Sequence, residues 1–411
     1  MILRSDNGVC LIRHNSDIMA HRAVRERRGA NGMAGIMDYA ATEFATFREK
    51  PLCEVDSLVF SQLAMVRMAG LVPLHQKDGR WAVRLRRAVQ RLSGAEVRGS
   101  RFTDLLRAER YHDMFTGLVP EKVKELLLTV AASPRFRDIV IHDYASVYDE
   151  AEQTQFAAVA FTCPGLFTYL AFRGTDRTWV GWKEDFNMAY AAPVPAQESA
   201  RCYVDQVADC VSTPLVLGGH SKGGNLAVYA AAKASPRTAV RIAAVYDHDG
   251  PGFPEGVLAE GELDRVRPLV RKTVPQESLV GLLMESDAGY RVVKSSGRGI
   301  SQHSPFRWEV EDGAVVEADG LAPSARFTAE VLNEWIAGMD PLERRRAVGA
   351  LFEALRASGA KDAFDVLMGG PKAIGVLVEA ARNTRPEARG VIIEQMKALA
   401  AIAAKRAFTR G

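Results

Sequence analysis

The feature that most constrains the fold is a serine enclosed by glycines between an apolar run and a helix-forming run. Ser221 lies in the sequence G-H-S-K-G at residues 219–223, after the apolar residues 215–217 and before the alanine-rich residues 225–232. Glycines two positions before and after a serine are typical of a sharp turn from a strand into a helix. The helix N-terminus would bring backbone N–H groups close to the serine oxygen. The pattern therefore predicts a nucleophile elbow centred on Ser221.

Composition describes an ordinary globular chain and excludes several classes of protein. The chain has 411 residues, of which 47% are hydrophobic and 25% are charged, so it can bury a sizeable core. A net charge of +3 is too small to indicate nucleic-acid binding. We find neither a transmembrane run nor a signal-peptide pattern. Five scattered cysteines without a C-x-x-C pair predict reduced thiols and a cytoplasmic protein. Oligomeric state and peripheral membrane contact stay open.

Three segments follow from the distribution of charge and apolar periodicity. Residues 1–32 are basic and unpatterned, and we expect a disordered extension. Residues 33–323 form the predicted core, which includes a mostly helical insertion at residues 83–137. Residues 324–411 carry apolar stripes at helical spacing and predict a helical C-terminal subdomain. The two helical segments could cap the site.

Apolar runs between turn signals predict a series of strands. The second and third of them could pair as a hairpin across residues 163–165. A helix is expected around residues 196–210, between the third strand and the elbow strand. Strands that alternate with helices predict an α/β fold with a central, mostly parallel sheet. The predicted strands cover residues 139–142, 155–162, 167–172, 239–246, 270–274 and 290–295, together with the elbow strand before Ser221.

A nucleophilic serine needs a general base, and the order of the chain limits the choice. In α/β-hydrolases the serine is followed by the acid and then by the histidine. Only His248 and His303 follow Ser221. His303 lies in a loop after the last predicted strand, so the order favours it as the base. His248 lies at the end of a strand, where we expect a structural residue.

The acid that orients the base has three candidates. Glu277 follows a strand between the nucleophile and the base and is the first choice. Asp249 also follows a strand, and Asp287 precedes the last predicted strand. Asp249 and Asp287 therefore stay open as alternatives.

The oxyanion hole is expected to have two parts. One is the backbone N–H of Lys222, the residue after the nucleophile. The other comes from the sequence F-R-G-T-D at residues 172–176, which ends a predicted strand. Gly174 permits a close approach of the backbone, and Thr175 could supply both its N–H and its hydroxyl.

These motifs carry a resemblance to a known family. The A-F-R-G-T sequence at residues 171–175, followed by Trp182, Asp185 and the G-H-S-K-G-G sequence at residues 219–224, resembles the motif series of class 3 lipases. The chain is more similar still to a bacterial, Mbeg-like branch built on that hydrolase core. The similarity runs over residues 33–411.

The resemblance implies an α/β-hydrolase fold with Ser221 as nucleophile, His303 as base, and Thr175 and Lys222 as oxyanion donors. Glu277 stands at the place where class 3 lipases carry an aspartate. Lys222 replaces the commoner apolar residue of lipase elbows. Acylglycerols or phospholipids are the substrates that the resemblance implies, and the chemistry requires no metal or cofactor.

The sequence therefore predicts a serine hydrolase that cleaves a carboxylic ester of a small molecule or lipid through an acyl-enzyme. A thioesterase or a peptidase could use the same triad. A hydrolase fold that only binds a partner, with Ser221 idle, is the third hypothesis. A fluorophosphonate probe separates it from the others, because only an activated serine labels quickly.

Overall fold

The computed structural model describes residues 34–76, 97–284, 289–358 and 382–410, together with five single positions, which are 81, 85, 89, 379 and 380. The extension expected to be disordered, residues 1–32, lies outside the described residues. Asp287, one of the alternative acids, also lies outside them.

Nine strands are formed by the described residues. They are β1 (Val140–Asp149), β2 (Thr154–Cys163), β3 (Phe167–Phe172), β4 (Leu215–His220), β5 (Ile242–His248), β6 (Val270–Pro275), β7 (Arg291–Val293), β8 (Val310–Glu311) and β9 (Ala314–Val315). Strand β1 extends seven residues beyond its predicted end at residue 142, and β8 and β9 were not predicted.

The helices lie before, between and after the strands. They are α1 (Ile36–Thr42), α2 (Glu54–Leu63), α3 (Tyr111–Met114), α4 (Pro120–Ala132), α5 (Trp179–Asn187), α6 (Pro195–Ala208), α7 (Lys222–Ala232), α8 (Pro236–Ala239), α9 (Glu260–Val266), α10 (Pro323–Ala337), α11 (Pro341–Ala357) and α12 (Pro386–Arg410).

The first seven strands form one sheet in the order of the chain, β1-β2-β3-β4-β5-β6-β7. The first three strands pair antiparallel, and β3 to β7 pair parallel. The predicted α/β class, with a sheet that is parallel at its centre, is confirmed. The predicted hairpin between β2 and β3 is confirmed too. The carboxyl ends of β3 to β6 meet at one edge, which is where open α/β sheets hold their ligands.

Both faces of the sheet are covered. On one face, α1, α2 and α4 pack against side chains such as Phe161, Tyr169 and Tyr246. On the other face, α6 and α7 pack against side chains such as Leu170 and Leu217. Strands that are buried on both faces appear in a sequence as nearly continuous apolar runs. This is why β2, β3 and β4 were recognisable without a structure.

Among the described residues, α10 and α11 contact the sheet domain. Phe352 of α11 packs edge-on against Trp179 and Phe186 of α5. Asn333 of α10 accepts a hydrogen bond from Met284 N and donates one to the carbonyl of Leu282. Whether residues 324–411 are a separate subdomain stays a prediction. Within the described part of the chain, each helix is too short or too polar to cross a membrane.

Candidate active site

The backbone at Ser221 is strained. Ser221 joins β4 directly to α7, with φ 59° and ψ −131°. A side chain other than glycine rarely occupies a positive φ, and such positions cluster at functional sites because they cost about 1–3 kcal/mol. A Cβ at Gly219 would lie 2.3 Å from the carbonyl carbon of Gly223. A Cβ at Gly223 would lie 2.2 Å from the carbonyl oxygen of Phe172, so glycine is needed at both positions.

An imidazole–carboxylate pair lies at the same edge of the sheet. Nδ1 of His303 donates a hydrogen bond of 2.6 Å to Oδ2 of Asp249. Asp249 is completely buried, and its Oδ1 accepts hydrogen bonds from Ser278 Oγ at 2.5 Å and from Gly281 N at 3.1 Å. Because Nδ1 is the donor, Nε2 of His303 carries the lone pair and can accept a proton.

The expected contact between Glu277 and His303 is made by Asp249 instead. Strand β5 lies beside the elbow strand, whereas Glu277 follows β6, one strand farther away. The carboxylate of Glu277 accepts a hydrogen bond from Gly299 N, and its own N–H donates to Gln302 Oε1 at 2.8 Å. Glu277 therefore tethers the loop that carries His303, and the choice between Glu277 and Asp249 as the acid stays a prediction.

His303 is held over the elbow through the residue before the serine. Nε2 of His220 donates a hydrogen bond of 2.7 Å to the carbonyl of His303, and the two rings lie 4.5 Å apart. Burial, then the neighbouring His303, holds the pKa of His220 well below its usual range, so His220 is a neutral donor. Among the described residues, Ser221 Oγ makes no hydrogen bond to His303. Catalytic hydrogen bonds often tighten only when substrate binds.

His248 has the structural position expected for it. It is completely buried, with Nε2 2.8 Å from Ser57 Oγ and Nδ1 2.9 Å from Thr273 Oγ1. Burial lowers the pKa of His248 to about 3, so it is neutral at physiological pH. Both ring nitrogens are engaged in the interior, which leaves none for Ser221.

The segment expected to supply oxyanion donors lies against the elbow. A Cβ at Gly174 would lie 2.8 Å from the carbonyl oxygen of His220 and 3.5 Å from Cβ of Ser221. The hydroxyl of Thr175 donates to Oδ2 of Asp185. Because that proton is already engaged, the Thr175 N–H is the donor that remains for a substrate oxygen.

Lys222 follows Ser221 and performs a task that the sequence did not reveal. Its side chain is buried, and Nζ lies 3.1 Å from Glu184 Oε2 and 3.3 Å from Asp185 Oδ1. Nζ also donates to the carbonyl and side-chain oxygens of Gln155, at 3.0 Å each. The Lys222 N–H stands at the first position of α7, where amides have no partner within a helix. The lysine thus ties the elbow to the helix behind Thr175.

Two carboxylates and one ammonium group lie together on this side of the site. Burial raises the pKa of Asp185 to about 6, although Lys222 and the Thr175 hydroxyl both act to lower it. Burial lowers the pKa of Lys222, but Asp185 and Glu184 outweigh that effect, and the pKa is raised. Two sequence signals pointed to members of this network: the lysine at an elbow position that is usually apolar in lipases, and Asp185 in the motif series.

Metal ligation has no evident place here. In the ranges that the structure describes, no group of three or more histidine, cysteine, aspartate or glutamate side chains could hold a metal ion. The chemistry available to the described site is that of a hydroxyl, an imidazole, a carboxylate and backbone amides.

Two comparisons with known proteins found a match. A family model described as Mbeg1-like matches residues 130–353, which are more than half of the chain. Among solved structures, that of M37 lipase is similar, with 11% sequence identity and a TM-score of 0.33. That similarity covers 78% of this chain and 93% of M37 lipase. No curated protein matches the chain.

Proposed function

Since the chain belongs to the Mbeg1-like family, whose model spans the elbow and the His303 loop, we propose that it is a serine hydrolase acting on a carboxylic ester. The observation that carries the proposal is the strained Ser221 beside the His303–Asp249 hydrogen bond at one edge of the sheet. A serine, a histidine and a buried carboxylate, presented by separate loops at one edge, are the parts of a triad.

In the proposed first step, the Ser221 oxygen attacks the ester carbonyl while Nε2 of His303 takes its proton. Asp249 keeps the imidazole in the tautomer with the proton on Nδ1 and stabilises the imidazolium that forms. The tetrahedral intermediate then collapses, and His303 returns the proton to the departing alcohol. An acyl group remains on Ser221.

In the second step, His303 takes a proton from water, and the resulting hydroxide equivalent attacks the acyl-enzyme. Collapse releases the carboxylic acid and restores the Ser221 hydroxyl. In both steps the N–H groups of Thr175 and Lys222 donate to the oxyanion. Donors of this kind typically contribute about 2.7–4 kcal/mol each. The buried network behind them holds both amides in place.

Removal of the nucleophile tests the proposal. Ser221→Ala should lower ester turnover by about a thousandfold or more, because a triad acts as a unit. It should also abolish labelling by a fluorophosphonate, with an unchanged far-UV spectrum. Ser324→Ala, at the exposed start of α10, is the matched control and should behave as wild type. Turnover above about a tenth of wild type in Ser221→Ala would contradict the assignment.

The acyl bond is identified by matched substrates. We expect oxygen esters to exceed thioesters and amides of the same acyl chain in kcat/KM. A preference for the thioester or the amide would keep the Ser221 chemistry and replace the ester by that bond. If no substrate reacts and no probe labels Ser221, the fold serves binding alone.

A further inference from the structure

Three described positions, 81, 85 and 89, form an exposed apolar row. All three positions are helical, and the side chains of Trp81, Leu85 and Val89 are 73%, 54% and 44% exposed. Because residues four apart in a helix lie on the same face, the three side chains follow one another along that face. Single exposed apolar residues such as Val240 are normal on a protein surface, whereas a row that includes a tryptophan indicates an interaction site.

The segment that carries the row is attached to the edge of the sheet at both of its ends. Strand β1 is the outermost strand on this side. Before the row, His75 N donates a hydrogen bond of 2.8 Å to the carbonyl of Tyr144. After it, Ser100 N donates one of 2.9 Å to the carbonyl of Ile141. The chain therefore leaves and rejoins the sheet domain on the same strand, so a surface that binds the row also holds the sheet domain.

The same stretch of sequence has a local excess of positive charge. Residues 79–95 include five arginines and no aspartate or glutamate, whereas the net charge of the whole chain is only +3. All but one of the five recur at intervals of four, three and four residues, which is the spacing of a stripe along a helix. An apolar row combined with arginines at helical spacing is a basic amphipathic pattern. The arginines are Arg80, Arg84, Arg86, Arg87 and Arg91.

The apolar row and the arginines together select the partner. A nucleic acid attracts arginines through its phosphates, but it offers no apolar phase for Leu85 and Val89. A membrane surface offers anionic headgroups for the arginines and an acyl region for the apolar side chains. Tryptophan is enriched at this boundary, because its ring is apolar and its N–H is polar.

The attachment of the segment favours a flat surface over a protein groove. A groove takes up the apolar face of a helix between its walls. A segment that is fixed to β1 at both ends instead presents its exposed row from the side of the protein. A stretch with five arginines is too polar to cross a bilayer, so the contact is peripheral.

We propose that Trp81, Leu85 and Val89 dock this protein peripherally on an anionic lipid surface. The arginines of residues 79–95 attract the headgroups, and the three apolar side chains enter the boundary between headgroups and acyl chains. The docking is a binding function of its own and does not rest on the proposed hydrolase activity.

Vesicle flotation tests the docking with the full chain. Vesicles of phosphatidylcholine alone are compared with vesicles of equal parts phosphatidylcholine and phosphatidylglycerol. We expect the affinity for the mixed vesicles to be about tenfold or more higher, and to fall as salt is raised, because salt screens the attraction between arginines and headgroups. Equal affinities for the two vesicles would overturn the choice of an anionic surface. An absence of binding to both would overturn docking on lipid and indicate an acidic protein groove.

A first pair of variants tests the apolar row. The double variant Trp81→Ser, Leu85→Ser should lower the affinity for the mixed vesicles by about tenfold or more, because two apolar side chains no longer leave water. Phe408→Ser is the matched control, since the Phe408 ring is 89% exposed on α12, and it should bind as wild type. An unchanged affinity in the double variant, or an equal loss in the control, overturns the assignment of the row.

A second pair of variants tests the charge. The double variant Arg84→Gln, Arg87→Gln should lower the affinity for the mixed vesicles by about tenfold and weaken its dependence on salt. The control Arg345→Gln, Arg346→Gln removes the same charge from exposed positions of α11 and should leave both unchanged. Equal effects of the two double variants would overturn the role of this stretch and indicate a general attraction of the chain. None of these measurements needs ester cleavage, so the docking and the hydrolase proposal fail separately.

Discussion

The two sides of the proposed site bury ionisable groups in opposite ways. On the acid–base side, the carboxylate of Asp249 is met by neutral donors and His248 lies beside it without a charge. On the oxyanion side, Asp185 and Glu184 share the ammonium group of Lys222. One side uses hydrogen bonds between distant loops, and the other uses a buried ion network within and beside α5.

This difference predicts opposite sensitivities. A hydrogen-bonded carboxylate fixes the orientation of a catalytic imidazole, so its loss should affect turnover most. A buried ion network loses far more when one partner is removed than the intact network contributes, so its loss should affect stability most. The acid–base side should therefore control turnover, and the oxyanion side should control stability. Four experiments test this comparison.

The largest expected effect is on turnover from the acid–base side. Asp249→Asn should lower kcat by about 10⁴-fold, because an amide favours the wrong tautomer of His303. Glu277→Gln is the matched control. Since Glu277 only tethers the loop of His303, the kcat of the Glu277→Gln variant should stay within about tenfold of wild type. A greater loss in Glu277→Gln than in Asp249→Asn would return the acid to Glu277.

The next effect is on stability from the oxyanion side. Lys222→Met should lower the free energy of unfolding by about 3–5 kcal/mol, because the buried Glu184 and the partly buried Asp185 would lose their cation. Lys233→Met is the control on the C-terminal end of the same helix. Its partner Glu262 is partly exposed, so the loss should be at most about 1 kcal/mol. Similar losses in urea unfolding would remove the distinction between the two sides.

The third effect is acid destabilisation from the acid–base side. The pKa of His248 is about 3 in the folded protein and near 6.5 in the unfolded chain, so the unfolded chain binds more protons between these values. The His248 contribution to the free energy of unfolding should fall by about 3 kcal/mol between about pH 6.5 and about pH 4. Urea unfolding of His248→Gln should lack this slope. An equal slope in both proteins would contradict the burial argument.

The smallest effect has the opposite sign and belongs to the oxyanion side. The pKa of Asp185 is about 6 in the folded protein, above its value of 3.8 when unperturbed, so the folded chain binds more protons between these values. The Asp185 contribution should therefore fall as pH rises, by about 2 kcal/mol between about pH 4 and about pH 6. Asp185→Asn should lose this slope. If the Asp185 contribution instead rose with pH, as the His248 contribution does, the predicted difference between the two sides would be contradicted.

The parts that could be predicted from the sequence are those encoded over short stretches. Strands β2, β3 and β4 were recognisable because burial on both faces demands continuous apolar runs. The elbow was recognisable because its turn requires glycine at positions 219 and 223. The segment at Gly174 was found for a similar reason, since only glycine fits against the carbonyl of His220.

The identity of the partner of His303 could not be predicted in this way. Glu277 and Asp249 both follow strands, and chain order allows both. The order of strands in the sheet separates them, because β5 and not β6 lies next to the elbow strand. Likewise, the buried ion network of Lys222 joins residues that are 38 positions apart, and no local pattern encodes that pairing.

Residues 247–249 illustrate which features the sequence determined and which features the tertiary structure decided. The sequence by itself determined that an apolar strand ends in three polar residues, because the run of apolar side chains stops there. The tertiary structure gives each of the three side chains a different partner. Oδ2 of Asp247 lies 3.4 Å from Nζ of Lys272. His248 is hydrogen-bonded to Ser57 and Thr273, and Asp249 is hydrogen-bonded to His303. The direction of a side chain at a strand end depends on the backbone turn, and Asp249 turns at φ 54°. The partner that the side chain contacts lies on neighbouring strands and loops that are distant in the chain, so the local sequence does not specify it.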